Sequence, residues 1–167
     1  MAFPKKITNF LDKNKVKYSL VDHKKVFTAL DKAATLKMKP AKVAKTLVVK
    51  LDKEVVLAAI PAHRNLDKNK FKKVASKWRK EQGGRAVKKI SFGTEKWIKN
   101  NLKGAKIGAV PPFGSIWKLP TFIDNSLLRI PKALINSGDH KGSIEMTPNN
   151  FKKAVPDFIK GSFSKAK

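Results

Sequence analysis

KTLVVKLDKEVVLAAIP, residues 45–61, holds two runs of β-branched and aliphatic residues that break at Asp52 and Lys53. Two such runs around a short polar break read as a β-hairpin. Upstream, PKKITNFLDKNK (4–15) sets Ile7, Phe10 and Leu11 at helical spacing, and VKYSLV (16–21) alternates Val16, Tyr18 and Leu20 as a strand does. Thr28 with Asp31 three residues later forms a capping-box-like start for a helix over ALDKAATLKM (29–38), which ends before Pro40. The chain therefore reads helix, strand, helix, hairpin.

Downstream, Phe71, Val74, Ala75 and Trp78 follow helical spacing with lysines on the other face, which is an amphipathic basic helix. QGGRAVKKISF (82–92) breaks it and returns to a short strand, and TEKWIKNNL (94–102) reads as another short helix. Strands are expected at KIGAV (106–110), TFIDNSL (121–127), KALIN (132–136) and SIEM (143–146). A last helix starts with Thr147 as cap and Pro148 at its first position. Hairpin-length connections outnumber helical crossovers, so the fold class is α/β, a single domain with a mixed, largely antiparallel sheet and flanking helices. The folded unit is expected over 1–160, with GSFSKAK (161–167) as a frayed, flexible tail.

A chain of 167 residues with 41% hydrophobic content can bury one substantial core. Its longest apolar run, VVLAAIPA (55–62), is far shorter than the roughly 20 residues of a membrane helix. No membrane association by a spanning helix is expected. The N-terminal stretch lacks the apolar core of a secretory signal and there is no cysteine, so a cytoplasmic location is expected. The formal charge is +26, from 38 Lys and Arg against 12 Asp and Glu. Such a chain attracts polyanions (RNA, DNA or an anionic membrane) in a salt-dependent way. The arginines are only Arg64, Arg79, Arg85 and Arg129, so the charge reads as a field rather than a code of bidentate contacts.

Ordinary catalytic sets are scarce. There is no thiolate nucleophile, His23, His63 and His140 lack the close pairing of a zinc site, and no G-x-S-x-G elbow, Walker loop or dinucleotide fingerprint occurs. No metal and no cofactor is expected. Two features remain. IGAVPPFG (107–114) packs Gly and Pro into a stiff, backbone-lined loop, the kind that lines sites as well as the kind that simply turns. Lys45 heads an apolar strand, where a lysine is either a solvated end or a functional group.

Three stretches in order, 21–74 (VDHKKVFTAL through NKFKKV), IGAVPPFG, and LPTFIDNSLL (119–128) with SGDHKGSIEMTPNNF (137–151), resemble the YbaK and prolyl-tRNA-synthetase-associated editing domains. The likeness runs from about Val16 to Phe151. It implies an α/β fold with a curved mixed sheet and the activity of an aminoacyl-tRNA deacylase that acts in trans on mischarged tRNA. The functional lysine of the family's A-K-T-L stretch falls on Lys45, and its G-x-x-x-P loop on Gly108 to Pro112, whose backbone would contact the aminoacyl ester and terminal ribose. The serine ahead of the glycine turn falls on Ser137.

The resemblance implies Lys45, Gly108 and Ser137 as catalytic positions. It places substrate binding on Val21, His23, Phe27, Ala109, Val110, Pro111, Pro112, Phe113, Gly114, Ile135, Gly138 and Ser143, with Val21, Phe27 and Ile135 as pocket walls. Ser143 stands where family members often carry an acidic or other polar residue before the Ile-Glu pair. Lys68, Lys70, Lys72, Lys73 and Lys77, outward on the basic helix, are expected to meet tRNA phosphates. The implied substrate is a small amino acid misattached to a tRNA(Pro)-related tRNA, with prolyl-tRNA synthetase as a further partner and a monomer as the working state. The alternative reading is an RNA-binding module of the same fold without turnover.

Overall fold

A computed structural model describes residues 3–167, so that Met1 and Ala2 of the expected 1–160 unit lie outside the described residues. The hairpin forms as its sequence reads: β2 (Ala44–Leu51) runs antiparallel to β3 (Glu54–Pro61) with Leu51 opposite Glu54. Asp52 turns the chain at φ 59°, a left-handed conformation that Asp tolerates better than most residues. Its carboxylate also accepts from the Lys89 amide at 2.9 Å and from Arg79 Nη1 at 3.0 Å, which ties the turn to the segments beside it.

From Val56 to Pro61 every residue of β3 is buried, the continuous apolar pattern of a strand covered on both faces. It sits at the centre of a five-stranded sheet ordered β5 (Ile90–Phe92), β2, β3, β6 (Thr121–Asp124), β9 (Ile159–Gly161). The β3–β6 and β6–β9 ladders are parallel and the others antiparallel. A second, antiparallel sheet orders β1 (Ser19–Asp22), β8 (Gly142–Met146) and β7 (Ala133–Asn136), and β4 (Arg64–Leu66) pairs with β10 (Ser164–Ala166) in a ribbon. The mixed, mostly antiparallel architecture expected from the sequence is the one observed.

Helix starts follow local chemistry. Thr28 accepts from the Asp31 amide at 3.1 Å to cap α2 (Ala29–Thr35), Asp67 from that of Lys70 at 3.0 Å to cap α3 (Lys68–Glu81), and Thr147 from that of Asn150 at 3.2 Å at a later helix (Pro148–Ala154). Helix Lys5–Lys13 buries Ile7 and Leu11. In α3, Phe71 and Ala75 are buried, and the Phe71 ring meets Phe122 and Phe163 edge-on at 5.0 and 4.9 Å.

Four expectations are corrected. KIGAV is not a strand: Gly108 takes φ 82° and the segment turns. TFIDNSL is a strand only to Asp124, whose carboxylate accepts from the Ser126 amide and hydroxyl and so starts a short helix, Asn125–Leu128. The α2 helix stops at Thr35 and not at Met38, with Lys37 at φ 54° just beyond it. Residues 161–167 do not fray: Gly161 ends β9, Ser164–Ala166 form β10, and Phe163 is fully buried. The Asp124 carboxylate holds this end, accepting from the Phe163 and Ser164 amides at 2.9 and 3.0 Å and from the Ser164 hydroxyl at 3.1 Å.

Candidate functional site

The two sheets touch where the site lies. A parallel bridge joins Val43, just before β2, to Leu134 in β7, which brings together the strands that carry Lys45 and Asn136. Both line a cavity of about 340 Å³, within the size range of small-molecule sites, together with α2 residues and the turns at Gly108 and Asp139. The two turns are stapled to each other: Gly138 N–H donates to the Ala109 carbonyl at 2.8 Å and Lys106 N–H to the Gly138 carbonyl at 2.8 Å. Gly138, at φ 99°, takes a backbone conformation that a side chain would strain, and a Cβ there would crowd Pro4 Cγ at 3.1 Å and the Gly104 carbonyl oxygen at 3.2 Å. A Cβ on Gly108 would instead meet only His140 Cε1 at 3.4 Å and the Phe27 carbonyl oxygen at 3.9 Å, so this glycine leaves its backbone open beside the cavity.

The cavity is cationic. Lys45, half-buried opposite Ile60, is held below the ordinary lysine range by burial and then by the charge of Lys167, which lines the same space. Lys32, on the inner side of α2, is only 5% exposed; burial lowers it to about 8. Its Nζ donates to Asn136 Oδ1 at 2.8 Å, and Asn136 Nδ2 in turn donates to the Val110 carbonyl at 3.1 Å. Among the described residues, the one acidic side chain on the wall is Asp139. Burial would raise its carboxyl, but the Lys106 ammonium at 2.9 Å and the Lys141 amide at 2.9 Å hold it below the usual range. At the mouth stands Phe27, 63% exposed, its ring 4.9 Å from that of His140 and 5.4 Å from Lys25 Nζ.

Of the positions expected from the sequence, the structure gathers Lys45, Gly108, Ala109 and Phe27 around this cavity. The others stand off it. Ser137 is buried, donating to the Gly142 carbonyl at 2.7 Å and accepting from the Asp139 amide at 3.3 Å, so it shapes the turn that carries Asp139 and His140. Ile135 points to the opposite face of β7 from Asn136 and joins the main core, and Val21 packs near Ala33 and Leu134. His23 Nδ1 donates to the Lys24 carbonyl, which leaves Nε2 to accept from the fully buried Ser143 hydroxyl at 2.8 Å; the pair fastens the end of β1 to β8.

Beyond Ala109 the loop is an anchor. Val110 packs with Leu57 and Leu102, Pro111 is buried, and Pro112 lines a separate, small apolar cavity. Phe113 stacks on Phe151 with centroids 6.1 Å apart, and Gly114 donates to Thr121 Oγ1 at 3.0 Å where a Cβ would run into the Leu119 carbonyl. All five lysines expected to meet tRNA are exposed on α3. Lys72, Lys73 and Lys77 border one open groove with Lys80, whereas Lys70 lies outside it and Lys68 sits over the Phe92 ring at 5.1 Å.

Sequence reasoning missed Lys32, Asn136, Asp139, His140 and Lys167. A signal existed for the first: Ala29, Lys32, Ala33 and Leu36 share helical spacing, which places Lys32 on the inward face. Among the described residues no cluster of His, Cys, Asp or Glu is arranged to hold a metal ion, and no helix is long and apolar enough to cross a membrane.

A family model described as the aminoacyl-tRNA editing domain matches residues 23–154. Among solved structures, a hypothetical protein superimposes with TM-score 0.78 at 20% identity, covering 96% of this chain and 99% of that one. A proposed trans-editing enzyme for prolyl tRNA synthetase gives TM-score 0.76 at 19% identity, covering 98% and 97%. A proposed signal transduction protein from Marinobacter aquaeolei VT8 gives 0.65 at 13% identity, with 96% of this chain matching 30% of that one. At these identities the likeness is one of fold. No curated protein sequence gives a significant match.

Proposed function

Since the chain belongs to the aminoacyl-tRNA editing domain family, we propose that it is a trans-acting deacylase whose lysine-lined cavity hydrolyses the ester of mischarged tRNA. The observation that carries this is the meeting of Lys45 with the open backbone of Gly108 on one cavity. In the reaction, water adds to the acyl carbon, the bond from that carbon to the terminal ribose oxygen breaks, and the ribose oxygen takes up a proton. The ribose hydroxyl next to the ester and the backbone at Gly108 position the water, so the protein supplies geometry and charge rather than a nucleophile. Lys45 and Lys167 face the phosphate of the terminal nucleotide, whose charge relieves the repulsion between them. Phe27, exposed beside His140, offers its face to the terminal base. Ser137 is a positioning residue, holding the turn that carries His140.

The acyl group that fits is small, on a tRNA(Pro)-related body, with prolyl-tRNA synthetase as the enzyme whose errors are corrected. Single-turnover deacylation of a panel of aminoacyl groups, each on several tRNA bodies, tests this. Hydrolysis of at least one ester, lost in Lys45→Ala, supports it. Tight tRNA binding with no turnover on any ester would leave an RNA-binding module instead.

A further inference from the structure

Most of the chain's lysines are solvated, but Lys32 is not. It is 5% exposed, it lines the cavity, and its ammonium carries three donors, of which one is met by Asn136 Oδ1 at 2.8 Å. Asn136 cannot turn its amide away, because Nδ2 is engaged with the Val110 carbonyl at 3.1 Å. Asp139, the one acidic side chain on the wall among the described residues, is already engaged by Lys106 and by the Lys141 amide. A buried ammonium without a counter-ion is costly, and between Ala29 and Ala33 an apolar residue would pack the helix without that cost. An oxygen brought in by a ligand would offset it.

Depth tells which part of the ligand that is. Lys167 is exposed and Lys45 half-buried, whereas Lys32 is covered, so a tRNA end entering past Phe27 leaves its phosphate with the outer pair and sends its acyl group toward the inner one. We propose that Lys32, set by Asn136, is a specificity-determining residue that reads an oxygen on the side chain of the bound acyl group, and that the favoured acyl group is a short acidic one such as aspartyl. The inference rests on the deacylase reading of this cavity and names its substrate class. A carboxylate is favoured over an amide because, among the described residues, the wall's acidic side chain is Asp139, already paired with Lys106. A site that must pair a buried polar group rejects ligands lacking the partner far more strongly than an apolar pocket rejects a missing methylene.

The test charges one tRNA body with aspartyl, asparaginyl, alanyl or seryl groups and follows single-turnover deacylation by the wild type, Lys32→Met and Lys32→Gln. Wild type should hydrolyse the aspartyl ester about tenfold or more faster than the alanyl ester. Both variants should lose that preference, the aspartyl rate falling about tenfold or more beyond any fall in the alanyl rate, and Lys32→Gln, which keeps a donor for Asn136, controls for collapse of the wall. An alanyl ester cleaved as fast as the aspartyl ester by wild type overturns the inference. So does an equal fall on every ester in the variants, which would place the terminal phosphate, and not the acyl group, at Lys32. If no ester turns over, the deacylase reading fails, and binding of the non-hydrolysable 3′-aspartylamido and 3′-alanylamido adenosines, which lack the 5′-phosphate, decides the rest. Tighter binding of the aspartyl analogue, lost in Lys32→Met, upholds the site, and equal binding refutes it.

Discussion

Replacing Lys32 by Met should change how stability depends on pH, by an amount that follows from the structure. In the unfolded chain the ammonium titrates near 10.5; in the folded protein burial lowers this to about 8. The gap corresponds to about 3 kcal/mol. Because the folded form binds the proton less tightly, the unfolded chain holds more protons between these values, and stability rises with pH across the window. Below pH 8 the full cost is present; above 10.5 it is gone. Lys32→Met removes the cost but strips Asn136 Oδ1 of its donor, a loss of about 1–3 kcal/mol that does not depend on pH. At pH 7 the two effects nearly cancel or leave the variant slightly more stable, and at pH 10.5 the variant should be the less stable protein. Other titrating groups are common to both proteins and drop out of the difference. Denaturant unfolding of both at intervals from pH 7 to 10.5 measures it directly. A stability difference that stays flat across that range would show that Lys32 is solvated, and an opposite slope would show that it already has a counter-ion.

Other outcomes follow from individual side chains. Lys45→Ala should abolish deacylation with little change in melting temperature, and Lys45→Arg should fail as well, since a planar fork does not replace a compact ammonium; wild-type rates in either would return Lys45 to a solvated strand end. Gly108→Ala sets a Cβ 3.4 Å from His140 Cε1 at φ 82°, so turnover should fall while tRNA affinity holds, with a stability loss near 1 kcal/mol; normal turnover would make the loop a mere turn. Neutralising Lys72, Lys73, Lys77 and Lys80 together should lower the log–log salt slope of tRNA binding by about 0.7–0.9 for each phosphate these lysines neutralise, and an unchanged slope would make the groove a solvated face. Asp124→Asn should destabilise the protein by about 2 kcal/mol or more at neutral pH. Burial would raise that carboxyl, but bonds from Ser126, Phe163 and Ser164 hold it below 3.8, so its contribution is full above that value and is lost as pH falls through the lower folded one. Acid titration of the wild type should show this limb, and the variant should lack it.

What the sequence disclosed was what neighbours along the chain decide. The hairpin needs only Asp52 and Lys53 between two apolar runs, and the caps at Thr28 and Thr147 each bond an amide three residues on. The end of the chain is different. Nothing near Phe163 foretells that its ring meets Phe71 or that its amide donates to Asp124, so GSFSKAK reads as a tail until those distant partners are in place. The site divides in the same way. Gly108 and Lys45 lie in stretches that carry a resemblance, whereas Asn136 depends on which face of β7 is turned to α2, and in ALIN the apolar Ile135 draws attention to the wrong one.

The charge of +26 hides the decisive residue for a related reason. Amid so many lysines each one reads as part of a solvated surface, and for those on α3 exposure agrees. Lys32 and Lys45 differ in having shed water without gaining an acidic partner, and for both burial is the leading cause of the lowered titration. A surface lysine contributes to a long-range field that salt screens; an enclosed one acts over a few ångströms in a low dielectric, where screening is weak. Salt should therefore separate the two functions of one charge type. Raising ionic strength weakens capture of the tRNA body, while at saturating tRNA the preference among acyl groups, set at Lys32, stays nearly constant. If that preference faded in step with affinity, both would be products of the same exposed field, and the enclosed lysine would have no part in choosing the substrate.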